Sequence, residues 1–209
     1  MALLTSMEQI ADDRSARYRA SAASIWIAVA RFALVALCSL CVGECFAADE
    51  SPQDIEQRVK AAFLFKFGGY VEWPERVFPR SDSPLVIGVA GADVLAEELS
   101  RITSGRTMNG RPVTVRRIRS GEQAAGVHVL FISRSESGRL GELLSTTQGQ
   151  PVLTVTETEK GLAQGSVINF VVADNRVRFE VSLVAANRNG LRIGAPLLAV
   201  AQRVQEKAQ

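Results

Sequence analysis

A single histidine, His128, stands in the 209 residues of this chain, so any catalytic triad would have to use it. It opens the apolar run Val127-His-Val-Leu-Phe-Ile132, a setting that suits a structural imidazole better than a general base. No G-x-S-x-G elbow supplies a nucleophile. One histidine, with three cysteines confined to positions 38, 41 and 45, cannot build the usual zinc sets, and no run of Asp, Asn and Gly has calcium-loop spacing. The carboxylate pairs Glu97-Glu98 and Glu157/Glu159 read as solvated helix and loop groups. Gly88-Val-Ala-Gly-Ala-Asp93 is the one phosphate-loop candidate, but it lacks the third glycine of a dinucleotide fingerprint. Asp93 would also repel a phosphate from the helix start, so a tight turn is the simpler reading. Arg111, Arg116, Arg117 and Arg119 gather around one strand, where charge keeps a strand surface soluble. These residues assign no catalytic group, no metal and no cofactor, and the chain reads as a binding protein rather than an enzyme.

The first fifty residues have a different character. Arg14, Arg17, Arg19 and Arg31 precede an apolar run from Phe32 to Val42, and the small residues Cys45, Ala47 and Ala48 follow. Positive, apolar, small is the order of a secretory signal, and the run is too short to span a bilayer of about 30 Å. Residues 1–47 are therefore expected to be a signal peptide with a long n-region, cut near Ala47, and residues 48–209 one exported domain. All three cysteines fall before that cut, so the exported part would have neither disulfide nor thiolate. It keeps 20 basic against 18 acidic residues, a balance that offers nucleic acid no electrostatic footing.

The elements that must position any site follow from pattern. Ser51-Pro52 with Asp54 is a helix start, and the helix should run from about Pro52 to Val71. Ile55, Val59, Ala62, Phe63, Phe67 and Tyr70 recur at three- and four-residue spacing and define the expected buried stripe. Leu85–Ala90, His128–Ser133 and Pro151–Val155 are short apolar runs of the kind covered on both faces, with Pro112–Ile118 a further strand. Helices from Asp93 to Ile102 and near Gly138–Thr146 alternate with them. That alternation argues for a mainly parallel, layered α/β sheet of three-layer, Rossmann-like form. Asp174-Asn175 then marks a hairpin between Val167–Ala173 and Arg176–Leu183. A last helix opened by Pro196, with Leu197, Val200, Ala201 and Val204 on one face, should end the chain.

Five of the nine aromatic residues beyond position 47 lie between Phe63 and Trp73. With the stripe assigned to the core, Ala61, Leu64 and Phe65 sit off it and Trp73 plugs the helix end. These four residues are the expected dimer or partner surface. A second candidate is a small-ligand crevice at the carboxyl ends of the parallel strands, around Gly91, Ala92, Ser133 and Arg134.

Lys60-Ala-Ala-Phe-Leu-Phe-Lys-Phe67, followed by Val71-Glu-Trp-Pro74, resembles the N-terminal motif of the YfiR family of periplasmic proteins. Val127–Ile132, Val152–Val155, Gly165–Phe170, Arg176–Val181, Ala185–Leu191 and Leu197–Ala201 occur in the order of that family, so the likeness spans roughly Ile55 to Val204. The resemblance implies an exported, non-enzymatic α/β domain that is a homodimer. It would repress an inner-membrane diguanylate cyclase by binding its periplasmic part, with an outer-membrane lipoprotein relieving the repression, and so control cyclic di-GMP and biofilm formation. Two departures stand out. The cysteine that relatives carry before the histidine is Val127 here, which removes a thiol switch from the exported domain. The family's Ser-Ser before the last helix is Gly194-Ala195. The alternative reading is a periplasmic small-ligand sensor, or an accessory protein of a two-component or outer-membrane uptake system.

Overall fold

The computed structural model describes residues 51–207; the expected signal peptide, residues 1–47, lies outside the described residues. The first helix, α1 (Pro52–Gly69), starts as its sequence predicts. Ser51 is the N-cap, its Oγ accepts from the Asp54 N–H, and the Asp54 carboxylate accepts from the Ser51 N–H in a capping box. After it come β1 (Val71–Glu72), a 3-10 turn at Glu75–Val77, β2 (Leu85–Ala90) and α2 (Asp93–Thr103). The hairpin β3 (Thr107–Met108) and β4 (Arg111–Ile118) follows, then β5 (Val129–Ile132), a 3-10 stretch Arg134–Arg139 and α3 (Leu140–Thr147). The remainder is β6 (Leu153–Thr156), β7 (Ile168–Ala173), β8 (Arg176–Ser182), α4 (Leu183–Arg188), β9 (Arg192–Ile193), α5 (Ala195–Ala199) and β10 (Arg203–Gln205).

Eight strands form one sheet in the order β10-β8-β7-β6-β5-β2-β4-β3. Neighbours are parallel except at β3–β4 and β7–β8, the two hairpins. This is the mixed, mainly parallel α/β sheet that the alternation of elements predicts. Each hairpin turns on two residues with positive φ, Asn109-Gly110 (51° and 80°) and Asp174-Asn175 (50° and 56°), the geometry that matches strand twist. Side chains alternate between two cores. Ile87, Val89, Val129, Phe131, Leu153 and Val155 join the core under α1 and α2, whereas Ala90, Leu130 and Ile132 join the core under α3.

The C-terminus differs from expectation. The last helix is only five residues long, and Val204 lies in β10, paired in parallel with Val181 of β8. A short helix cannot continue here because β8 still has an unpaired edge, and a strand satisfies those backbone groups. At the other end of the domain, Asp93 is the first residue of α2 rather than its cap, and Ala92 occupies the cap position.

The buried seam of α1 also differs. Lys60, Ala61, Leu64, Phe67 and Gly68 are the buried residues of this helix, whereas Ile55 and Tyr70 are 49% and 43% exposed. The seam is rotated by about one residue, or roughly 100°, from the stripe read off the sequence. Lys60 is the cause: a charged residue inside the seam disguises its period. It is accommodated because Nζ donates to Glu157 at 2.5 Å and also pairs with Glu56.

Candidate functional site

Burial settles which side of α1 can face a partner. Ala61 and Leu64 are fully buried between α1, α2 and the sheet, so they are core and offer no surface. Phe65 and Trp73 are half-buried and pack against the same core. The Arg106 guanidinium lies 5.9 Å from the Phe65 ring, and the Trp73 indole N–H is buried without a partner among the described residues. Of the four residues expected to form a partner surface, Phe65 and Trp73 alone keep any exposure.

The strand-end turn is closely packed at Gly91. Ser133 and Ser135 both place Oγ 2.8 Å from the Gly91 carbonyl, and their hydroxyls are 2.7 Å apart. Gly91 has φ 73°, and a Cβ added there would lie 2.2 Å from Ser135 Oγ and 2.6 Å from Ser133 Oγ. The turn therefore needs glycine, and two serine hydroxyls pack against it. Arg134 is exposed, but its N–H donates to Glu157 Oε1 at 2.9 Å, the carboxylate that also holds Lys60. Thus Gly91 and Ser133 do meet, Ala92 caps α2, and Arg134 turns to the Lys60–Glu157 pair. Glu157 is accordingly no solvated loop carboxylate; its side chain is 13% exposed.

The open surface lies on the other side of α1. Phe63 and Phe67 anchor this helix on the β7–β8 hairpin through Phe170 and Phe179, with ring centroids 5.0–6.1 Å apart. Outside that cluster two adjoining cavities, about 380 and 480 Å³, share Phe63 and Val177 and form one groove. Its walls are α1, the hairpin, and α5 with the residue after it, Val200. Four large hydrophobic side chains line it while exposed: Ile55, Tyr70, Val172 (56%) and Val200 (63%). Lys66, Arg176 and Arg178 stand along it, and none of them is in an ion pair among the described residues. Concentrated apolar exposure of this kind, edged by charge, marks an interaction surface.

His128 sits apart from the groove. Its Nδ1 accepts from the Val86 N–H at 3.0 Å, and its ring stacks on Phe78 with centroids 4.6 Å apart. Burial holds its pKa below the ordinary value of about 6.5; the Arg111 charge acts the same way and a backbone hydrogen bond at Val77 opposes them. The neighbouring arginines are also employed structurally. Arg111 donates to the carbonyls of Arg80 and Ser81 at 2.7 and 2.8 Å, and Arg116 to that of Ala125 at 2.7 Å. Among the described residues no cluster of three or more His, Cys, Asp or Glu could hold a metal, and no helix is long and apolar enough to cross a membrane.

The YfiR/HmsC-like family model matches residues 57–202, from the second turn of α1 to the start of β10. The chain belongs to the YfiR/HmsC-like family. Proteins of this family are periplasmic regulators of diguanylate cyclases rather than enzymes. The segment from β7 to α5 and α1 from its second turn onward fall inside the matched region, whereas Ile55 in the first turn precedes it. Sequence reasoning missed the groove because it placed Ile55 and Tyr70 in the core. Val172 and Val177, cross-strand partners on the same face of the hairpin as Phe170 and Phe179, were the available signal.

Proposed function

We propose that this YfiR/HmsC-like protein is exported by residues 1–47, cut near Ala47, and that residues 48–209 repress an inner-membrane diguanylate cyclase by binding its periplasmic part. The observation that supports this reading is the groove: four exposed apolar side chains converge on one cleft, and three cations without an ion pair among the described residues stand beside it. Such a surface gains free energy by desolvating against a protein, and the cations orient the approach of an acidic partner. Repression then requires tighter binding to the inactive cyclase than to the active one, since equal affinity for both would shift nothing. Association as a homodimer and relief by an outer-membrane lipoprotein belong to the same reading.

Deleting the gene is expected to raise intracellular cyclic di-GMP, and restoring the intact chain to lower it. A chain carrying Val172→Asp and Val200→Asp should be exported and folded yet fail to lower it. Unchanged cyclic di-GMP on deletion would remove the cyclase from the proposal. Full complementation by the double variant would remove the groove.

A further inference from the structure

Residues 73–84 connect β1 to β2; the Phe78 ring, a hydrogen bond between His128 and the Val77 backbone, and Arg111 hydrogen bonds to the carbonyls of Arg80, Ser81 and Ser83 hold this loop to the sheet. Phe78 lies nearly flat on the His128 imidazole, with 12° between the planes. The Arg111 guanidinium is 4.1 Å from the same ring. Two groups that close cannot share one face, so Phe78 is clamped between an imidazole and a guanidinium. Trp73 meets Phe78 edge-on at 6.2 Å, which brings the start of the loop into the same stack.

The clamp requires a neutral imidazole. Nδ1 is the acceptor for the Val86 N–H, so the ring proton sits on Nε2. A second proton would have to enter at Nδ1, directly against a backbone N–H 3.0 Å away. The ring must then turn, and turning ends its stacking on Phe78. The charged group facing it from β4 is Arg111, whose cation opposes a second one across the Phe78 ring. The loop carries Glu75, Arg76, Arg80 and Asp82, all exposed, and Arg80 and Asp82 pair with each other at 3.0 Å. Val86 of β2 and Leu153 of β6, the strand residues bonded to His128, are uncharged.

The loop is also joined to one wall of the groove. β1, immediately before it, pairs with β9, and the Tyr70 carbonyl accepts from the Gly194 N–H at 2.8 Å. Gly194 is the N-cap of α5, and a Cβ there would come within 3.0 Å of the Tyr70 oxygen. Leu197 of α5, with Val200 beyond it, forms the groove wall. We propose that protonation of His128 ends its stacking on Phe78 and, through β1 and β9, loosens the α5 wall, making the groove acid-sensitive. Unstacking stands on the clamp alone; its consequence for partner binding rests on the groove reading above.

The chain contains two tryptophans, Trp26 and Trp73, and one histidine. In the full chain with Trp26→Phe, Trp73 emission and the imidazole NMR signal are followed from about pH 8 to about pH 5. The two are expected to move together with a common midpoint below the ordinary histidine value. Hydrogen exchange in 73–84 and 192–201, corrected for intrinsic rates, should rise by about tenfold or more at the acid end, while β2 and β5 stay protected. His128→Asn should abolish the midpoint, and Phe78→Ala should remove the Trp73 response at every pH. A Trp73 signal that ignores His128 titration, or that persists in His128→Asn, overturns the clamp. Opening of 73–84 without 192–201 overturns the coupling to the groove. A pH response in a chain that never lowers cyclic di-GMP would leave the clamp standing and defeat the repressor reading, and the reverse pattern would do the opposite.

Discussion

The two sides of α1 use similar residues for opposite ends. Toward α2 and the strand ends, Ala61 and Leu64 are sealed into the core, Lys60 is tied to Glu157, and serine hydroxyls close the turn at Gly91. Toward the β7–β8 hairpin and α5, Ile55, Tyr70, Val172 and Val200 are exposed beside cations that have no ion pair among the described residues. The turn at the strand ends is thus tightly packed at Gly91, and the exposed apolar surface is a groove that the hairpin and the C-terminal segment add. Apolar side chains on the first side should carry stability, and those on the second should carry binding.

The sharpest break of that contrast is Leu64→Ala. It should cost about 3–4 kcal/mol in urea unfolding, because a fully buried leucine leaves a cavity that α2 and the sheet cannot close. A loss below about 1 kcal/mol would mean that this side is not sealed. Lys60→Ala should follow at about 2–3 kcal/mol, since it leaves the Glu157 carboxylate, 13% exposed, without its cation. Gly91→Ala should cost about 1–2 kcal/mol, combining a left-handed backbone with a Cβ that displaces the Ser133 and Ser135 hydroxyls.

Acid should produce a smaller loss through His128. The unfolded imidazole takes up a proton near its ordinary pKa of about 6.5, whereas the folded one resists until the pH is lower. Its contribution is therefore fully present above about 6.5 and disappears as the pH falls through the folded value; denaturation midpoints of intact chain and His128→Asn, compared across that window, read it directly. Least of all, Val172→Ser with Val200→Ser should change stability by no more than about 0.5 kcal/mol per site while repression of the cyclase is lost. Destabilisation equal to that of Leu64→Ala would place both valines in the core and erase the contrast between the two sides.

Local signals were legible wherever neighbours in sequence decide the conformation. The Ser51–Asp54 capping box and the Asp174-Asn175 hairpin turn read directly from residue types, and so did the buried strands Leu85–Ala90 and Val129–Ile132. The α1 seam was not, because its periodicity is broken by Lys60, whose partner Glu157 is 97 residues away. The candidate partner surface moved for the same reason, from Ala61 and Leu64 to the opposite side of the helix. β10 was also hidden: three residues, Arg203–Gln205, become a strand because β8 offers an edge, a fact with no local signature.

Sequence alone determined the class of sheet, the positions of its turns and the family motif around Lys60–Phe67 and Val71–Pro74. Each depends on composition or on spacing within a few residues. Tertiary structure alone decided which face of α1 is wet, that the strand-end turn is plugged by Ser133 and Ser135, and that Phe78 meets His128 and Arg111 across fifty and thirty-three positions. Those outcomes depend on pairing between distant segments. A side chain's burial and protonation are set by what the fold places against it, whatever its neighbours along the chain.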